Sequence, residues 1–170
     1  MRTLVAALAA LILLSAHAKA DIVEEVLGCK GDPCVVRINL GGNIGKFVDA
    51  ANAIAFGDRK LVIIDGECAS ACTVLIDRIK DKVCLTAWAK LEFHRGSRPP
   101  FASVGIFSFQ YKKLIDIHYS PAVEEWIQKE GGLPKDGSFI TMPVNVAMTI
   151  WSPCPPRTRP ARKFSAHGLY

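Results

Sequence analysis

The run Gly66-Glu67-Cys68-Ala69-Ser70-Ala71-Cys72-Thr73, with Phe93-His94 downstream, puts a hydroxyl nucleophile and a titratable base in one chain. A serine acts as a nucleophile when its Oγ is accessible, a base stands beside it, and N–H donors await the oxyanion. The surrounding residues suit that geometry. Leu61-Val62-Ile63-Ile64-Asp65 is apolar and β-branched and reads as a buried strand over 60–65. Cys72 to Ile79 has helical spacing. Ser70 therefore falls at a strand-to-helix turn, where a side chain is accessible and the first helical N–H groups are unpaired. A second glycine turn, Leu40-Gly41-Gly42-Asn43, follows an earlier apolar strand and is a further source of donors. Each residue also has a plainer role. Serine is a preferred helix N-cap, and a strand-end histidine is often structural. It is the pairing of the two that points to chemistry.

The elements that must position this pair follow from hydrophobic periodicity. Residues 34–40 read as a strand broken by Gly41-Gly42. Asn43 caps a helix whose stripe is Phe47, Val48, Ala51, Ile54 and Ala55, ended by Gly57-Asp58. After strand 60–65 and the helix to about Lys80 come short strands at Val83–Thr86 and Lys90–His94. This is repeated β-α units with crossovers long enough for parallel pairing, so the fold class is α/β with a mainly parallel sheet. Residues 95–111 form a Gly/Pro/Ser loop carrying Phe101, Phe107 and Phe109, of a length typical of binding elements. Pro121 opens a helix with Ala122, Val123, Trp126 and Ile127 on one face and Gly131-Gly132 at its end. A short strand near Ser138–Thr141 and an apolar segment, Val144 to Trp151, close the domain.

Composition sets the context. Met1-Arg2, an apolar core from Leu4 to Leu14 and Ala18-Lys19-Ala20 read as a signal peptide over 1–20, too short to span a bilayer. The domain then covers 21–154, and 155–170 is a basic, Pro-rich tail read as disordered. The formal charge of +5 falls to about −1 over residues 21–156 once Arg2 and Lys19, and then Arg157, Arg159, Arg162 and Lys163, are left out. No basic patch alternates with aromatics along the body, so nucleic acid is not expected as a partner. All six cysteines lie beyond the leader, and an even count in an exported protein points to disulfides and a periplasmic or secreted location. Cys29 and Cys34 flank a Gly/Pro turn and suit a local bridge. Cys72 with Cys84 is the favoured second pair, which leaves Cys68 with Cys154. Cys68-x3-Cys72 lacks tight zinc-knuckle spacing and has no second close Cys/His pair, so neither metal nor cofactor is expected.

Taken in order, Gly41-Gly42, Cys68 to Thr73, Phe93-His94, Gly131-Gly132-Leu133 and Cys154 resemble the Clp-type serine peptidases of the Clp/crotonase superfamily. The likeness is nearest to the small exported Clp-protease-like proteins of bacteria, and it spans roughly residues 34 to 154. It implies a Clp/crotonase-like core. Ser70 would be the nucleophile and His94 the base, with the Gly42 and Ala71 amides as the oxyanion hole. A peptide or protein would be the substrate, and a homo-oligomer is compatible with the likeness. The pattern departs from the family in two places. No Ser-Pro precedes Gly-Gly, and the late region that carries the family's aspartate reads Ile140-Thr141-Met142-Pro143-Val144-Asn145. Asn145 and Asp136 are the candidates for the third member, with Asp116 a poorer one. Two other readings follow: a catalytically inactive Clp-like binding module, which the missing carboxylate favours, and an acyl-CoA-type enzyme, which export disfavours.

Overall fold

In a computed structural model, residues 22–58, 61–96 and 118–156 are described. The expected signal peptide, most of the 95–111 loop, Asp116 and the tail beyond Pro156 lie outside these residues. Among the described residues no helix is long and apolar enough to cross a membrane.

The elements in chain order are α1 (Ile22–Leu27), β1 (Cys34–Asn39), α2 (Ile44–Phe56), β2 (Val62–Ala69), α3 (Ala71–Arg78), a 3-10 turn (Lys80–Lys82), β3 (Val83–Leu85), β4 (Lys90–Phe93), α4 (Pro121–Lys129), β5 (Ile140–Met142), α5 (Val144–Ile150) and β6 (Ser152–Pro153). The architecture is α/β, and every strand pair is parallel except β4 with β5. Helix α2 starts as its sequence requires, with the Asn43 side chain accepting from the Gly45 and Lys46 amides. Phe47, Ala50, Ala51 and Ile54 are its buried stripe, while Ala55 on the expected stripe is exposed. Helix α1 and strand β6 have no counterpart in the sequence pattern, because six-residue and two-residue elements carry almost no period.

Strand β2 organises the sheet. It pairs with β1 along most of its length, with β3 through Val62–Ile64 and with β4 through Glu67–Ala69. The chain leaves β3 through a turn in which the Ala89 amide donates to the Thr86 carbonyl, and rejoins β2 further along as β4. The expected strand end at 65 is corrected: β2 runs on through Gly66-Glu67-Cys68 to Ala69. Glycine at 66 looks like a turn signal in sequence, yet its role is in the sheet. The β1 register shifts between Val36 and Ile38, and a Cβ on Gly66 would overlap the Arg37 carbonyl.

Burial follows the alternation. Leu91 and Phe93 of β4 point into the core, and Phe93 meets Tyr119 at 5.4 Å and Trp126 at 5.2 Å between ring centroids. Burying a Phe of this kind contributes roughly 1.5–3 kcal/mol. The buried Asp77 of α3 accepts from the Ser120 amide at 2.6 Å and from its hydroxyl at 2.7 Å. Ser120 is the N-cap of α4, so a carboxylate on one helix satisfies the positive end of another. Tyr119 donates to or accepts from Thr73 at 2.8 Å, and burial pushes its phenol up to about 12.

Two of the three expected cysteine pairings are corrected. Cys29–Cys34 forms, but the other bridges are Cys68–Cys72 and Cys84–Cys154, not Cys72–Cys84 and Cys68–Cys154. Register is the reason. Cys84 lies opposite Ile63, five residues back from Cys68 and so about 16 Å away along β2. The Cys154 amide donates to the Leu85 carbonyl, which brings Cys154 beside Cys84 instead. The chain reversal at Ser70 meanwhile carries the Cys68 and Cys72 Cα atoms to 5.4 Å.

Two stability outcomes follow. Asp77→Ala should cost about 2–4 kcal/mol in urea unfolding, because it removes two charge-assisted bonds and leaves the part-buried Ser120 amide unpaired. The double change Cys84→Ser with Cys154→Ser should cost about 4 kcal/mol, since that bridge closes the longest loop, with a sequence separation of 70.

Candidate active site

Ser70 and His94 meet because β2 and β4 are parallel neighbours that end together. The register Glu67↔Lys90, Cys68↔Leu91 and Ala69↔Glu92 continues into the Ser70 amide, which donates to the Glu92 carbonyl at 2.9 Å. His94 follows Phe93, the last residue of β4. Its Nε2 lies 2.6 Å from Ser70 Oγ. The pair sits at the carboxyl ends of parallel strands, where loops and helix starts leave room for a ligand.

The backbone at Ser70 is unusual. With φ of 54° and ψ of −122°, it is the one non-glycine residue of positive φ among the described residues. Such a conformation costs of order 1–3 kcal/mol and clusters at functional sites. The sharp strand-to-helix turn is the geometry that a nucleophilic serine would require, as in nucleophile elbows generally. The Ser70 side chain makes no capping bond to α3, so the plain N-cap role is not the one adopted. The Ser70 carbonyl accepts from the Thr73 amide at 3.0 Å and hydroxyl at 2.6 Å, which ties the turn to the helix. Cys68 and Cys72, both fully buried, bridge directly across it.

The glycine turn packs against this elbow. Asn39 holds it, accepting from the Gly41 amide at 3.0 Å while its own amide donates to the Val26 carbonyl at 2.7 Å. Gly41, at φ 83°, has no room for a side chain: a Cβ would come 2.7 Å from Ser70 Cβ and 2.8 Å from the Ala69 carbonyl oxygen. Gly42 follows at φ 155°. Among the described residues, neither the Gly42 nor the Ala71 amide has a protein acceptor.

The third member is where sequence and structure part. Asp136 accepts from the Ser138 amide at 3.0 Å and hydroxyl at 2.7 Å, and these bonds hold its carboxyl below the usual range. Asn145 is exposed on the first turn of α5 and makes no bond to His94. Neither is placed as an orienter of the imidazole. The Phe139 ring takes that neighbourhood instead, with centroids 4.5 Å apart and planes 36° off parallel. Nothing in the local sequence pointed to Phe139, since only the antiparallel β4–β5 register carries it there. Alternation along β4 puts Lys90, Glu92 and His94 on one sheet face. Lys90 Nζ is 2.6 Å from Glu92 and 3.7 Å from Glu67. The hydrogen bond from Lys90 holds Glu92 below its ordinary range, and the hydrogen bond to Glu92 pushes Glu67 up.

No family model matches the chain, and no curated protein matches it. Solved structures similar to it include a ClpP1 variant from Listeria monocytogenes. It is 18% identical, covers 76% of this chain and 78% of that one, and has a TM-score of 0.43. Another is a peptidase from Plasmodium falciparum, 13% identical over 76% of this chain and 80% of that one, with a TM-score of 0.44.

The strain at Ser70 is open to measurement. Ser70→Gly relieves it and adds about 0.5–1 kcal/mol of unfolded-state entropy in return. The variant should be more stable than the parent by about 1 kcal/mol in urea unfolding, whereas Ser70→Ala should match the parent.

Proposed function

We propose that this protein is an exported serine hydrolase, most specifically a peptidase. The single observation that carries this reading is the 2.6 Å contact of His94 Nε2 with the hydroxyl of a serine held at positive φ. Ser70 Oγ attacks the carbonyl carbon of the scissile bond as its proton passes to His94 Nε2. The Gly42 and Ala71 amides receive the oxyanion, each worth roughly 3 kcal/mol of barrier. His94 then gives the proton to the leaving amine, and water enters by the same route to free the acyl group. Three disulfides are consistent with a periplasmic or extracellular site of action. A homo-oligomer is compatible with this reading.

One observation favours a second reading, a catalytically silent binding module with a Clp-like core. His94 Nδ1 has no protein partner among the described residues, so nothing hydrogen-bonds the imidazole into one tautomer. Loss of that bond in a complete triad lowers turnover by about 10⁴.

A fluorophosphonate probe separates the two. The oxidised, folded chain should label at Ser70. Ser70→Ala should not label, and His94→Ala should label at least about 10²-fold more slowly. A folded chain that stays unlabelled at long exposure supports the binding module instead.

A further inference from the structure

The hydrolase reading leaves His94 without a hydrogen-bonded orienter among the described residues, and the structure offers a different device at that place. We infer that Phe139 is the positioning residue of His94: its ring packing holds the imidazole against Ser70. Three observations converge. The β4–β5 register Leu91↔Met142, Glu92↔Thr141, Phe93↔Ile140 runs on to set Phe139 opposite His94, so the contact is a cross-strand pair and not a chance approach. Phe139 is 45% exposed, so the core does not account for where its ring lies. The turn ahead of it is fixed by Asp136, which takes both the amide and the hydroxyl of Ser138. The carboxylate that the sequence offered to the histidine thus works one step removed, by holding the segment that presents the aromatic ring.

The chemistry of such a support differs from that of a carboxylate. Ring packing restricts the tilt of the imidazole and keeps Nε2 aimed at Oγ, but it gives Nδ1 no hydrogen-bond acceptor. When the Ser70 proton arrives on Nε2, the imidazolium lies beside a π face that attracts cations. Position and charge are both served, while the tautomer is not imposed.

The test uses the oxidised chain with Phe139→Leu and Phe139→Tyr. NMR follows the His94 ring protons, and fluorophosphonate labelling follows Ser70. The parent should show His94 ring protons displaced by the neighbouring ring current. The displacement should persist in Phe139→Tyr and vanish in Phe139→Leu. Labelling should fall by about three- to tenfold in the Leu variant alone. No displacement in the parent overturns the inference, as does a Leu variant that labels at the parental rate or a Tyr variant as slow as Leu. A parent that shows the displacement but never labels leaves Phe139 as the positioning residue and removes the hydrolase reading.

Discussion

The parallel pairing of β2 with β4 is the constraint on which the site depends. The two strands share only Glu67–Ala69 and Lys90–Glu92, yet the next hydrogen bond along, from the Ser70 amide to the Glu92 carbonyl, fixes the Ser70 backbone against the strand that leads into His94. A slip of one residue would turn His94 to the core face and bring Phe93 out. The slip is costly because Phe93 is locked between Tyr119 and Trp126 beneath the sheet. The apolar anchor and the histidine are adjacent residues, so core packing sets the position of His94.

Around that pairing the structure concentrates restraints on a single strained residue. Ser70 sits where its backbone is least comfortable, and its surroundings allow no relaxation. The Cys68–Cys72 bridge closes the chain across it. Gly41 presses from one side at a distance that only a glycine tolerates. Thr73 secures its carbonyl, and Thr73 is itself tied to Tyr119. Helix α4 completes the chain of support through Asp77 and Ser120. The restraints come from four segments, β2, the glycine turn, α3 and the start of α4, which is how a turn of this kind persists against its intrinsic cost.

Much of the fold was legible because it is written in local patterns. The apolar β-branched runs gave strands, Asn43 and Pro121 marked helix starts, and the glycines after Phe56 and Glu130 marked helix ends. Where sequence pattern and structure differ, contacts between distant segments are the cause. Strand β2 outruns the apolar run 60–65 through Gly66, a residue uncommon in strands whose reason lies in a carbonyl from another strand. The expected Cys72–Cys84 pair joins a first helical turn to the next strand and leaves Cys68 with Cys154, while the real pairs follow register and the path of β6 back to β3.

By itself the sequence determined that this is an α/β chain with a serine at a strand-to-helix turn, a histidine at a strand end and six cysteines available for pairing. These properties rest on residue type and short-range periodicity, which do not need the rest of the fold. Only the tertiary structure decided that the serine adopts positive φ, that Cys68 bonds Cys72, that neither Asp136 nor Asn145 hydrogen-bonds His94, and that Phe139 stands beside it. Those outcomes depend on which residues of distant strands face each other. That register is a cooperative result of core packing, and no local stretch of the chain encodes it.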